Sequence, residues 1–141
     1  MKKNKKLNNK GFSLVELIIV IAIMAVLVGV LAPQFTKYVG QSKDATDKTN
    51  VELLRTTASA VLADTSCDFS VEEGKSSTFD VIGGKEPTAD SSNFVSLMTS
   101  AIGTWPTPQE SGKMFQIKIT GAAGGGYTVE VDVVAATGGE S

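Results

Sequence analysis

The 141-residue sequence has no histidine, a single cysteine and four prolines. Without histidine, a Ser-His-Asp relay is impossible, and the commonest general base and metal ligand are missing. One cysteine, Cys67, excludes an intramolecular disulfide, a staple that small exported domains often use. Cys67 is read as a small, partly buried hydrophobe. Carboxylates are scattered: Glu72-Glu73 and Glu130/Asp132 come nearest to clusters, whereas calcium takes about six to eight oxygen ligands. The glycines around Gly125-Gly126 lack the Lys-Ser/Thr and the following helix that a phosphate cradle needs. No catalytic residue, cofactor or metal site is expected, and the chain does not read as an enzyme.

Basic charge is concentrated at the start of the chain and outnumbered in the rest. Five of its thirteen basic residues (Lys2, Lys3, Lys5, Lys6 and Lys10) precede Gly11, where there is no acidic residue. The rest of the chain keeps eight basic side chains against fifteen acidic ones. An acidic body repels phosphate backbones, so direct nucleic-acid binding is not expected.

What the sequence does have is one long apolar run. From Leu14 to Ala32 the only charged or strongly polar residue is Glu16. A secretory signal peptide accounts for the basic start, but its apolar region is only about 7–15 residues and its cut would fall just before Pro33. A plain membrane anchor fits the length, since about 20 helical residues span the hydrocarbon core. The leader lysines then place the N-terminus in the cytoplasm. That reading leaves Glu16 unexplained, because a carboxylate in the apolar layer is costly and usually functional.

The segment Lys10-Gly11-Phe12-Ser13-Leu14-Val15-Glu16-Leu17 resembles the processing site of type IV prepilins and the related pseudopilins. The resemblance covers roughly residues 1–40 and accounts for both features. It implies that a prepilin peptidase cuts between Gly11 and Phe12 and that Phe12 becomes N-methylated. It implies an assembly contact in which Glu16 of one subunit meets the Phe12 amine of another. A buried charge needs such a partner. Glu16 could also neutralise its own N-terminus or sit on the positive end of its helix dipole.

Pro33 falls where many pilins carry a proline, twenty-one residues after the mature N-terminus. Proline removes a backbone donor, and Gly29 adds freedom, so a helix break is expected at Gly29 and Pro33. The family's second helix-breaking glycine is absent, since Ala25 occupies its place.

Beyond Pro33 the helix is expected to resume. Val51, Leu54, Ala58, Val61 and Leu62 form one apolar stripe at helical period. Asp44–Lys48 and Glu52–Arg55 have ion-pair spacing on the solvated side. Phe69, Val71, Phe79 and Val81 mark short extended pieces, and Gly83-Gly84 a turn. Phe94, Leu97, Met98, Ala101 and Ile102 after Asp90-Ser91-Ser92 predict a capped short helix. Trp105, in a loop with Pro106 and Pro108, is expected to pack on the core. Phe115, Ile117 and Ile119, then Tyr127, Val129, Val131 and Val133, alternate as a β-hairpin does.

The expected fold is therefore α+β: a long N-terminal helix, apolar then amphipathic, packed on a small antiparallel sheet. The expected divisions are a leader at 1–11, an apolar helix at 12–33, its amphipathic continuation at 34–64, a head at 65–135 and a flexible tail at 136–141. The resemblance implies a structural subunit of a type IV pilus, drawn from the membrane by an assembly platform and ATPase into a helical homo-oligomer. It implies a single-pass precursor in the cytoplasmic membrane and a filament at the cell surface. Two alternatives stand beside it. One is a pseudopilin of a type II secretion or competence system. The other is a minor pilin acting as a membrane-anchored adhesin.

Overall fold

A computed structural model describes residues 11–88 and 92–136. The expected leader up to Lys10, the Asp90-Ser91 part of the expected cap and the last five residues of the expected tail lie outside them. The order is α1 (Leu14–Leu62), β1 (Ser76–Val81), α2 (Phe94–Ile102), β2 (Lys113–Ala122) and β3 (Gly126–Ala135). The structure divides after Gly40 into two compact units.

In the first unit α1 is apolar on every side. Phe12 and large side chains such as Leu14, Ile18, Ile21, Val26 and Leu31 are exposed. A helix apolar all round belongs in a core or a bilayer. It is long and apolar enough to cross a membrane. The helix runs unbroken through Gly29 and Pro33. Proline at 33 withdraws only the single hydrogen bond that its N–H would have given to the Gly29 carbonyl. One turn on, the Thr36 hydroxyl donates to the Pro33 carbonyl at 3.0 Å.

In the second unit the stripe expected on α1 is the side that meets the sheet. Leu54, Ala58 and Val61 are buried, with Val51 and Leu62 packed at the edge. Of the two ion-pair spacings, Glu52–Arg55 closes at 3.4 Å, whereas no such pair forms between Asp44 and Lys48 among the described residues. Asp47 departs from the solvated face expected for its charged neighbours. It is buried, and its carboxylate accepts the Gln109 backbone N–H at 3.0 and 3.3 Å. Lying seven residues before Leu54, it continues the buried stripe.

The sheet is an antiparallel meander in the order β1-β2-β3. The hairpin register sets Phe115 opposite Val133, Ile117 opposite Val131 and Ile119 opposite Val129, so the alternating apolar residues share one face. On β1, Phe79 and Val81 join that face opposite Ile117 and Phe115. The rings of Phe69, Phe79, Phe94 and Tyr127 pack tilted against one another at centroid distances of 5.0–5.9 Å. The opposite face carries polar cross-strand pairs: Ser76 with Thr120 at 2.8 Å, Gln116 to Asp80 at 2.8 Å and Lys118 with Glu130 at 3.6 Å.

The joining pieces follow local chemistry. Gly124 and Gly125 carry the positive φ, 86° each, that turns β2 into β3. Phe69 and Val71 form no strand. Their segment instead crosses the end of β2, where Glu73 bridges Gly121. A Cβ on Gly121 would lie 2.5 Å from the Glu72 carbonyl oxygen, so this crossing needs glycine. The cap of α2 also differs from expectation. Asn93 is the N-cap residue, but its side chain donates to the Ser66 carbonyl and accepts from Asp68 N–H. The hydroxyl that reaches a helix N–H, that of Phe94, belongs to Ser92. Trp105 is buried, and its indole N–H donates to the Thr99 hydroxyl at 3.0 Å. Cys67 is half-buried against the core. Ala136, first residue of the expected tail, is held by its N–H to the Gly112 carbonyl at 2.8 Å.

Candidate functional site

The residues singled out for processing and assembly lie at the start of α1. Gly11, Phe12 and Ser13 are outside the helix. Leu17 N–H donates to the Ser13 carbonyl at 3.2 Å, the first turn of the helical ladder. The Glu16 carboxylate accepts the Ser13 backbone N–H at 2.9 Å. Ser13 and Glu16 thus make the reciprocal-cap spacing Ser-x-x-Glu, with the acid at the third helical position reaching back over the cap. This contact is a backbone cap within the first helical turn, and its signal is legible in the four residues Ser13-Leu14-Val15-Glu16. A negative charge there also suits the positive helix end.

The cap puts the Gly11–Phe12 peptide just beyond the helix. Phe12 is 92% exposed. Phe12, Glu16, Leu17, Ile19 and Val20 line one shallow concavity, so Phe12 and Glu16 face the same space. Its walls are apolar except for the carboxylate. Gly29 and Pro33 lie further along α1, within the apolar run, and take no part in this concavity.

A second, open groove lies in the head between α1 and β3. Asp44, Lys48, Glu52 and Arg55 line it with Glu110 and Lys113. The Lys113 ammonium sits 2.8 Å from the Glu110 carboxylate. That contact holds the Glu110 carboxyl below its usual range and Lys113 above its own. The groove mixes both signs of charge. Among the described residues, no group of three or more His, Cys, Asp or Glu side chains is placed to hold a metal ion.

Residues 6–32 match the family model described as the prokaryotic N-terminal methylation motif. The chain is 38% identical over 68 residues to the type IV major pilin protein PilA of Myxococcus xanthus, covering 47% of this chain and 31% of that protein. It is 37% identical over 70 residues to the prepilin peptidase-dependent protein A of Clostridium perfringens, covering 50% of this chain and 48% of that protein. The chain thus spans about a third to a half of the length of these relatives. No solved structure matches significantly. The chain thus carries the prokaryotic N-terminal methylation motif, is similar over about half its length to a type IV major pilin and a prepilin peptidase-dependent protein, and packs a long helix on a three-stranded sheet in a pilin-like arrangement.

Proposed function

We propose that the chain is a structural subunit of a type IV pilus. A prepilin peptidase cuts between Gly11 and Phe12, Phe12 is N-methylated, and residues 12–141 stack through α1 into a helical filament. The observation that carries the reading is the all-round apolar surface of α1 from Leu14 to Leu31, exposed along its whole length in the single subunit. Burying such a surface against copies of itself gains about 25 cal/mol per Å² of apolar area removed from water. Before assembly a bilayer serves the same end, which makes the precursor a single-pass membrane protein.

Apolar contact is non-directional, so it does not set how far one helix slides along another. Glu16 supplies the missing register. Cleavage creates a cationic amine on Phe12, and an apolar packing site demands a partner for it. In the isolated subunit Glu16 is satisfied by Ser13 N–H, and a carboxylate can accept further bonds. One Glu16 can thus keep its cap and meet a neighbour's amine. Gly29 and Pro33 mark where the helix gives most easily when copies pack.

Mass spectrometry of the protein sheared from cells tests the reading. A chain beginning at Phe12 with one added methyl, recovered abundantly in the sheared filament fraction, is the expected result. A leader still attached would overturn it. Processed protein found only in the membrane fraction would favour a pseudopilin.

A further inference from the structure

Nine aromatic residues occur in the chain. Six belong to the head, and the other three flank the apolar run: Phe12 at its start, Phe35 and Tyr38 just past its end. None lies between Phe12 and Phe35. Phe35 and Tyr38 are 69% and 66% exposed. They sit three residues apart on α1, hence on one face. Lys37 lies between them in sequence.

Distances along the helix say where these rings lie when Leu14 sits at the cytoplasmic boundary. At 1.5 Å per residue, Phe35 is about 32 Å and Tyr38 about 36 Å from Leu14. The hydrocarbon core is about 30 Å thick, and the headgroup region beyond it adds roughly 5–7 Å on each side. Helical side chains lean back toward the N-terminus, which draws both rings into that layer. Aromatic rings gather at this depth, where an apolar body and a polar tip are both satisfied. The Lys37 ammonium can reach the lipid phosphates from the same turn.

We propose that Phe35 and Tyr38 are an interfacial anchor that holds the membrane-inserted subunit at a fixed depth, their partner being the headgroup layer opposite the leader. The inference rests on the membrane-spanning reading of the precursor and adds a specific lipid contact to it. The anchor keeps the helix turn after Pro33 at the surface while the head stays in water.

The full chain, reconstituted in vesicles of phosphatidylglycerol and phosphatidylethanolamine, tests this. With Trp105→Phe as background, Ile23→Trp reports the middle of the span and Tyr38→Trp the anchor. The expected result is Ile23→Trp quenched about twofold more by lipids brominated near the chain end, and Tyr38→Trp about twofold more by lipids brominated near the headgroup. Deep quenching at position 23 with water-like, unquenched emission at position 38 would overturn the anchor and leave the span standing. No quenching at position 23 would overturn both. A second measurement isolates the rings. In a Cys67→Ala, Thr36→Cys chain, Phe35→Ala with Tyr38→Ala should speed labelling by an impermeant maleimide about threefold or more. An unchanged rate, even with altered filament yield, would assign the rings to subunit packing instead.

Discussion

Glu16 is asked to do two things, and one pair of substitutions separates them. Glu16→Gln keeps an oxygen acceptor for the Ser13 N–H, 2.9 Å away, but removes the charge. Glutamine serves at this position of a capping box as glutamate does. Glu16→Ala removes both. Losing a cap costs about 1 kcal/mol, about fivefold in an equilibrium. Leaving a cationic amine unpaired in apolar packing costs about 3–5 kcal/mol, more than a hundredfold. The charge effect exceeds the cap effect by so much that both variants should fail alike. Sheared filament yield should fall at least about a hundredfold in each, while mass spectrometry shows both still cut after Gly11. If Glu16→Gln assembles at wild-type yield and Glu16→Ala drops only about fivefold, the register argument is wrong and the cap is the whole role.

Three further outcomes concern the head, followed by the fluorescence of buried Trp105 during thermal unfolding of the full chain in detergent. Gly121→Ala drives a Cβ against the Glu72 and Val71 carbonyl oxygens, at 2.5 and 2.8 Å, and neither can rotate away. It should destabilise by about 1–3 kcal/mol, and an unchanged Tm would mean that the crossing segment is free to move. Asp47→Ala strips the Gln109 N–H of its acceptor and should cost about 1–3 kcal/mol, while Asp47→Asn keeps an oxygen there and should cost less. Equal costs for the two would show the charge to matter more than the bond. The Glu110 carboxyl is depressed by Lys113, and Asp64 by the Ser66 N–H and hydroxyl. Their stabilisation is present above the usual carboxylate range and is lost as pH falls through the depressed values. Lys113, raised by Glu110, works the other way, its share being lost only as pH climbs through its own raised value. Both groups of the pair are exposed, so Glu110→Gln should lower the Tm slightly near neutral pH and reduce its acid dependence, by an amount at the limit of detection.

The legible parts of this protein are those with a period or a fixed spacing. The stripe from Val51 to Leu62 and the alternation in β2 and β3 carry one face each, and burial follows directly from the pattern. At the site, Gly11, Phe12 and Glu16 could be picked out because a lone acid stands out in an apolar run. The cap contact was equally present as Ser13-x-x-Glu16, yet it is masked when the same acid has a more conspicuous explanation. Asp47 was harder to read. Its place on the core stripe follows from counting back from Leu54, but its partner is a backbone N–H sixty-two residues away that carries no side-chain signature. Position 121 was harder still, because a glycine demanded by another segment's backbone looks like any turn glycine. The cap of α2 was expected at Asp90-Ser91-Ser92, whereas Asn93 holds the N-cap place with its side chain taken by Ser66 and Asp68, twenty-seven and twenty-five residues upstream.

The arrangement of the head also has a consequence in time. A ribosome delivers α1 first, and Leu54, Ala58 and Val61 leave it as a naked apolar stripe. The strands that cover it begin at Ser76, and two of the three lie after Lys113. Val131, a wall of the same core, arrives later still, on β3. A truncated chain that includes α1 but stops short of β2 therefore has a helix long and apolar enough to cross a membrane and lacks two of the three strands that cover the stripe behind it. Such fragments should be recognised by quality-control proteases, whereas a chain that includes β2 and β3 covers the stripe and leaves the apolar run of α1 as a large exposed surface among the described residues.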